Sequence, residues 1–344
     1  MSTPTIYSGP AKVVHAFGSG PTLYSFFADG ENGAVKLAIN EKRTQRSTAN
    51  FGYHQSTLDD QTAEISLTPF DMWALIPVLY PTYLGVTNGS NTGALAIGTR
   101  PHDIAAGSAN GNAPTKLWTP DGRLYNVVRT AITGHPSMKL GVGQPLYDGV
   151  KITGLIDVTT PKYPCDSGAL IAGNAITESS ASDPGTAGFV PDFINGKWTA
   201  SLKLQSDDSV VSGFGSMDVE DFWTLSVSAK YSPLTVQKLT RHLKLDSVEF
   251  MVKGRLVGPK HSDLLGRVLA HTHGGTITGG SAAYLQLTGP SSKTITLKDC
   301  EVFLDNSGFE FGGTKLNTGE VAFVTKMDFS GTPSIPGPSL IFSA

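Results

Sequence analysis

Polar and apolar residues alternate with a period of two along much of the chain. In Val35-Lys36-Leu37-Ala38-Ile39 the odd positions are apolar, and the even face continues as Asn40, Lys42, Thr44 and Arg46. In the run Thr62 to Leu67, Ala63, Ile65 and Leu67 are apolar while Thr62, Glu64 and Ser66 share the other face. Runs at 124–132, 150–158, 225–229, 248–252 and 321–329 repeat the pattern. Successive side chains of a strand point to opposite faces, so each run predicts a half-buried strand with one wet face. Strands of this kind commonly pair as antiparallel sheets. Two short amphipathic helices are expected beside them. Thr68-Pro69-Phe70-Asp71 supplies an N-cap hydroxyl, a proline suited to the first helical position and an acid where a capping box would have one, and Pro77 is the kink or stop. Ser262-Asp263 opens the second, which carries Leu264, Leu265, Val268 and Leu269.

The pattern occurs twice in the same order. Leu37-Ala-Ile-Asn-Glu-Lys42 matches Leu225-Ser-Val-Ser-Ala-Lys230 at an offset of 188, and Ala63-Glu64-Ile65 matches Val248-Glu249-Phe250 at 185. Gly149 to Val158 then runs parallel to Gly319 to Phe329, at offsets of 170 and 171. Alternation alone aligns by chance. Three blocks in one order, each with the same polar anchor (Lys, Glu, Asp), predict a duplicated unit. The expected class is therefore mainly β, as two tandem β-sandwich domains each with a short flanking helix. The expected division is residues 1–164 and 165–344, with a loop excursion over about 84–115 and a linker or insertion over about 165–195.

Composition narrows the class. With 344 residues, 39% hydrophobic and 16% charged, the chain is globular in character and has room for one large β domain or two smaller ones. Its 39 Gly and 21 Pro favour short strands joined by turns over long helices. A net charge of −3 excludes a protein whose main business is gripping nucleic acid through a basic surface. No run approaches the ~18 apolar residues of a membrane helix, and no signal peptide is expected from Met1 to Pro10. Cys165 and Cys300 allow one disulfide, or two reduced thiols in a protein folded in the cytosol.

Motifs for chemistry are missing. There is no phosphate-binding loop, no dinucleotide turn and no His-Glu-x-x-His. Gly141 to Gly143 reads as a turn, and His271 with His273 makes only two ligands of an incomplete metal site in a loop. Ser167 beside Asp166 lacks the glycine context of a nucleophile elbow. Asp59-Asp60 and Asp207-Asp208 read as turn residues, and the scattered Trp73, Trp118, Trp198 and Trp223 as core. No catalytic, cofactor-binding or metal-binding residue is expected, and no cofactor.

One resemblance remains. The segment Gln61-Thr-Ala-Glu-Ile-Ser-Leu-Thr-Pro-Phe-Asp-Met-Trp73, leading into Pro77 to Pro81, resembles the central segment of tail tube proteins of long, non-contractile phage tails. Gly319 to Phe329 is similar to that family's last sheet strand, and Ala11 to Phe17 with Thr22 to Phe27 to its opening strand pair. The resemblance implies long hairpins, here about 33–68 and 222–254, lining a central channel. Six such domains close a ring, supplied by three chains if the unit is duplicated and by six if it is not. Rings stack into a tube that carries the genome out of the virion. The implied partners are copies of the chain itself, other tail proteins such as the tape measure and terminator, and double-stranded DNA in passage without tight binding; no membrane is involved. The implied place is the virion tail, assembled in the host cytoplasm.

On that reading the channel-lining candidates are Lys36, Lys42 and Arg46, opposed across the hairpin by Asp60, Glu64, Ser66 and Thr68. Opposite charges across strands pin register at roughly 0.2–1 kcal/mol each and keep the lining near neutral or acidic. Other readings are a tail adaptor or capsid decoration protein, or a carbohydrate-binding β module of a secreted protein. The absence of clustered aromatics and of a leader speaks against the last.

Overall fold

The computed structural model describes residues 12–17, 22–27, 35–47, 54–68, 86–88, 104–105, 113–118, 124–141, 146–155, 165–166, 197–204, 207–219, 221–236, 239–257, 264, 283–298, 300–305, 318–328 and 340–343. They are mainly strands. The first half holds β1 (Lys12–Phe17), β2 (Thr22–Phe27), β3 (Lys36–Ser47), β4 (His54–Leu67), β5 (Val86–Asn88), β6 (Ile104–Ala105) and β7 (Ala113–Trp118). It continues with β8 (Leu124–Gly134), β9 (Met138–Leu140), β10 (Leu146–Tyr147), β11 (Val150–Leu155) and β12 (Cys165–Asp166). The second half holds β13 (Thr199–Leu204), β14 (Trp223–Val236), β15 (Leu239–Val257), β16 (Ala283–Thr288), β17 (Thr294–Leu297), β18 (Glu301–Asp305), β19 (Thr318–Asp328) and β20 (Leu340–Ser343). The described part of every run of alternation noted above falls on one of these strands apart from Val35, just before β3; residues 156–158 and 329 lie outside the described residues. The helix expected after Thr68 lies outside the described residues, as does the one after Ser262 except for Leu264, which is buried in the core.

Three sheets form. The first has the order β2-β1-β7-β8-β11-β4-β3, with β12 added to β8. The second has the order β10-β9-β14-β15-β19-β18, with β6 added to β15. The third has the order β13-β16-β17-β20-β5. All pairings are antiparallel except β20 with β5. Sheet membership crosses the middle of the sequence: β5, β6 and β9 attach to strands of the second half, and β10 joins the second sheet through β9.

Burial follows the alternation. Along β4, Ala63, Ile65 and Leu67 are buried and Thr62, Glu64 and Ser66 are half-buried. The corresponding apolar faces of β14, β15 and β19 bury Leu225, Val248, Phe250, Val252 and Phe323 completely. One continuous apolar cluster runs from Ala63 to Phe342 and includes residues of all three sheets. Its largest members, Trp198, Trp223, Phe214, Phe250, Phe323 and Phe342, are among the side chains that contribute most, at roughly 1.5–3 kcal/mol each for full burial. Trp198 and Trp223 are thus core, as their scatter in the sequence implied, while nothing is described of the side chains of Trp73 and Trp118.

Candidate functional site

The residues proposed to line a channel lie on the first of two long hairpins. In the β3–β4 hairpin, Lys36 stands opposite Ser66, Ala38 opposite Glu64, Asn40 opposite Thr62 and Lys42 opposite Asp60. Here the pairing skips a residue: Arg43 stands opposite Leu58, so Asp59 is the extra residue of a bulge. The bulge explains why Asp59-Asp60, expected in a turn, sit inside a strand. Asp59 is 8% exposed and accepts a hydrogen bond from the Thr44 hydroxyl across the hairpin. Asp207-Asp208 does form a turn, in which Asp207 accepts from the Ser209 amide at 3.0 Å.

The β14–β15 hairpin repeats this arrangement. Leu225 stands opposite Val252, Lys230 opposite Ser247 and Tyr231 opposite Leu245, leaving Asp246 as the extra residue. Ser232 donates to Asp246 just as Thr44 donates to Asp59. The third strand follows suit: Ile152 of β11 stands opposite Ile65, and Phe323 of β19 opposite Val252. The fourth strand does too, with Ile132 of β8 opposite Ile152 and Val302 of β18 opposite Phe323. The strand sets β3-β4-β11-β8 and β14-β15-β19-β18 are therefore the same four-stranded arrangement built twice.

The pairing corrects one sequence alignment. Leu37 and Leu225 are equivalent at the expected offset of 188, and Ile152 and Phe323 at the expected 171. On the second strand, however, Ile65 is equivalent to Val252 and Asp59 to Asp246, an offset of 187 where 185 was expected. Glu249 is thus the counterpart of Thr62, not of Glu64. The signal that marks the true register is the dipeptide Leu58-Asp59, repeated as Leu245-Asp246.

One face of each four-stranded set is apolar and packed into the core, and the other is polar. On the polar face Glu64 pairs with Lys151 of β11 at 2.9 Å, and Lys253 of β15 with Glu320 of β19 at the same distance. Both are diagonal pairs between the second and third strands. Sequence reasoning placed Glu64 against the lysines of β3 and did not single out Lys151, Lys253 or Glu320. Ser66 turns its hydroxyl toward Glu64 at 3.4 Å. Lys42 is directly opposite Asp60, as expected, whereas Arg46 stands opposite Gln55 and its side chain is not described. Farther along the hairpin Glu41 accepts from Arg43 at 2.8 Å and from the Gln61 amide at 3.0 Å. The Arg43 hydrogen bond holds the Glu41 carboxyl below its ordinary pKa.

The two sets meet through β9. After Gly134 the chain passes His135, Pro136 and Ser137, then pairs Met138 with Leu225, Lys139 with Thr224 and Leu140 with Trp223. Met138 and Leu140 are buried and Lys139 is exposed, so the two-faced pattern carries over from one set to the other. His135, on the connection between them, is buried, and desolvation pushes its pKa down to about 3.

Among the described residues no group of three or more His, Cys, Asp or Glu could hold a metal ion. Cys300 is half-buried and forms no disulfide among the described residues. His271, His273, Ser167 and Gly143 lie outside the described residues, and Gly141 sits against Phe222, whose ring a Cβ there would meet at 2.3 Å. No family model and no curated protein matches the chain.

Proposed function

We propose that the chain is a structural virion protein that polymerises as stacked rings into the tail tube of a long, non-contractile-tailed phage. The observation that carries this reading is the repeated four-stranded set, with its hairpin, its bulge and its two faces, joined within one chain by β9. A wall with an apolar back and a polar, charge-balanced front suits a water-filled conduit. The front offers Lys36, Lys42, Asp60, Glu64 and Ser66 from the first set and the Lys253–Glu320 pair from the second. Phosphates passing such a surface meet ion pairs in place of a run of free cations, which keeps DNA affinity low. Two sets per chain favour three chains in each ring over six. Tape measure and terminator proteins would be the other tail partners, and the virion tail the place of action.

Negative-stain imaging of concentrated, purified protein tests the reading. Tubes built of rings with three-fold symmetry and a six-fold pseudo-repeat are expected. Rings of six whole chains would remove the duplication argument, and protein that never associates end to end would remove the tube itself and leave an adaptor or decoration role.

A further inference from the structure

Strands β8 and β11 pair directly, Gly134 with Lys151 and Ile132 with Ile152, although residues 135–149 lie between them. Those residues leave the first sheet and return to it. On the way β9 and β10 pair with each other, and β9 pairs with β14 of the second sheet. The stretch is therefore a hairpin arm seated on a neighbouring sheet. Its seat is short: Met138, Lys139 and Leu140 stand against Leu225, Thr224 and Trp223. Met138 and Leu140 are completely buried there, so the arm closes the outer edge of β14.

The two ends of the arm are clamped to each other. The Asp148 amide donates to the Ser137 carbonyl at 3.2 Å, and the Asp148 carboxylate accepts from the Ser137 amide and, at 2.8 Å, from its hydroxyl. Two residues before this clamp His135 is 9% exposed, and neither ring nitrogen has a partner among the described residues. A neutral imidazole leaves one donor and one acceptor unmade in such a place; an imidazolium would bring a charge and a second donor. The charged groups on the flanking elements offer it no counterion. Asp148 is taken up by Ser137, Lys151 of β11 pairs with Glu64, and Lys139 of β9 and Asp221 ahead of β14 are exposed, so burial alone sets the basicity of the ring. We infer that the β9–β10 arm is an acid-released strap: a proton on His135 drives the ring into water, which opens the base of the arm and lifts β9 from β14 while the sheets persist. The seat is far shorter than the β14–β15 and β15–β19 ladders, so the arm is the part that yields first. Release leaves the outer edge of β14 unpaired beside Trp223. The inference goes beyond the tube reading and does not depend on it.

The ring titrates at about 3 with the arm seated and near its ordinary 6.5 with the arm open, so the open form takes the proton first. Lowering the pH from 7 to 5 therefore raises the open fraction roughly 25-fold. Amide hydrogen exchange of unassembled, full-length protein reads this, with each rate divided by its intrinsic rate at that pH. Residues 138–140 and 223–225 are expected to lose protection by that factor at pH 5, while Ile65 and Ile152, paired within the first sheet, keep theirs. His135→Leu should keep the arm protected at both pH values. If that variant folds poorly, Ser137→Ala serves: it loosens the clamp without touching the ring, so arm exchange rises at both pH values in the same ratio. Unchanged arm protection at pH 5, arm and sheets losing protection together, an undiminished pH response in His135→Leu, or an arm indifferent to Ser137→Ala overturns the inference. Tubes built by a protein whose arm ignores acid would leave the tube reading standing without the strap, and an acid-released arm in a protein that builds no tubes would do the reverse.

Discussion

Asp59 and Asp246 hold the same position in two hairpins: each is the extra residue of a bulge, and each accepts a hydroxyl hydrogen bond from the facing strand, from Thr44 and Ser232 respectively. A bulge adds twist and bends the strand that carries it. A carboxylate that takes a hydroxyl bond at that bend fixes where the bend falls. Truncating either acid leaves a hydroxyl without its charged acceptor. Asp59→Ala and Asp246→Ala are each expected to cost about 1–3 kcal/mol in urea unfolding. Because the two bulges lie on separate hairpins, the double variant should cost the sum within about 0.5 kcal/mol. A wild-type-like midpoint for either single variant would separate the two sites and weaken their equivalence.

The diagonal pairs Glu64–Lys151 and Lys253–Glu320 matter more for charge than for stability. The Lys151 side chain is 49% exposed and that of Glu64 27%, so each pair contributes only about 0–1 kcal/mol. Glu64→Lys with Glu320→Lys should therefore fold and assemble, while turning a balanced face basic. Assembled protein carrying both substitutions is expected to co-sediment with short double-stranded DNA at low salt and to release it steeply as salt rises. Wild-type assemblies should not retain DNA at physiological salt. DNA retention by wild type would refute the idea of an unreactive lining.

The strands of both sets were legible because alternation sustained over five or more residues has one physical meaning: a ribbon wet on one side. The register was less legible. A slip of two residues keeps every side chain on its own face, so the pattern cannot distinguish an offset of 185 from 187. Only the Leu-Asp pair at each bulge carries that information. The partner of Glu64 was missed for a related reason, since Lys151 lies 87 positions further along the chain and diagonal neighbours leave no trace in local spacing. The short strands β5, β6 and β9, two or three residues each, are too short for a period to be read from the sequence, yet they bind the first half of the chain to the sheets of the second.

His135 makes the joint between the two sets sensitive to acid. Its ring nitrogens find no hydrogen-bond partner among the described residues, and burial holds its pKa at about 3 against an ordinary value near 6.5. The folded pKa is lowered, so the unfolded chain binds the proton first. The stability this neutral ring permits is complete above about pH 6.5 and is lost progressively as pH falls toward 3. Urea midpoints should fall between pH 7 and pH 5 in the wild type. In His135→Leu that part of the slope should vanish, and an unchanged slope would place the acid sensitivity elsewhere.

One step beyond the last paired residues of each hairpin there is a trade of volume. The first set has Val35 and Leu67 there, and at the equivalent places the second set has Trp223 and Gly254. A Cβ on Gly254 would lie 2.8 Å from Trp223 Cε3 and 2.8 Å from Val219 Cγ2, closer than real carbons approach. The indole takes the room that a leucine fills in the other copy, and β9 closes over it through Leu140. Gly254→Leu alone should cost about 3 kcal/mol through overpacking. Trp223→Val alone should cost about the same through the cavity it opens. Combined, they rebuild the Val-Leu pair of the first set, so the double variant should be more stable than the sum of the singles implies. A double-mutant cycle by urea unfolding measures this, with a favourable coupling of about 0.5–3 kcal/mol expected. Simple additivity would mean that the two positions are not exchangeable halves of one packing solution.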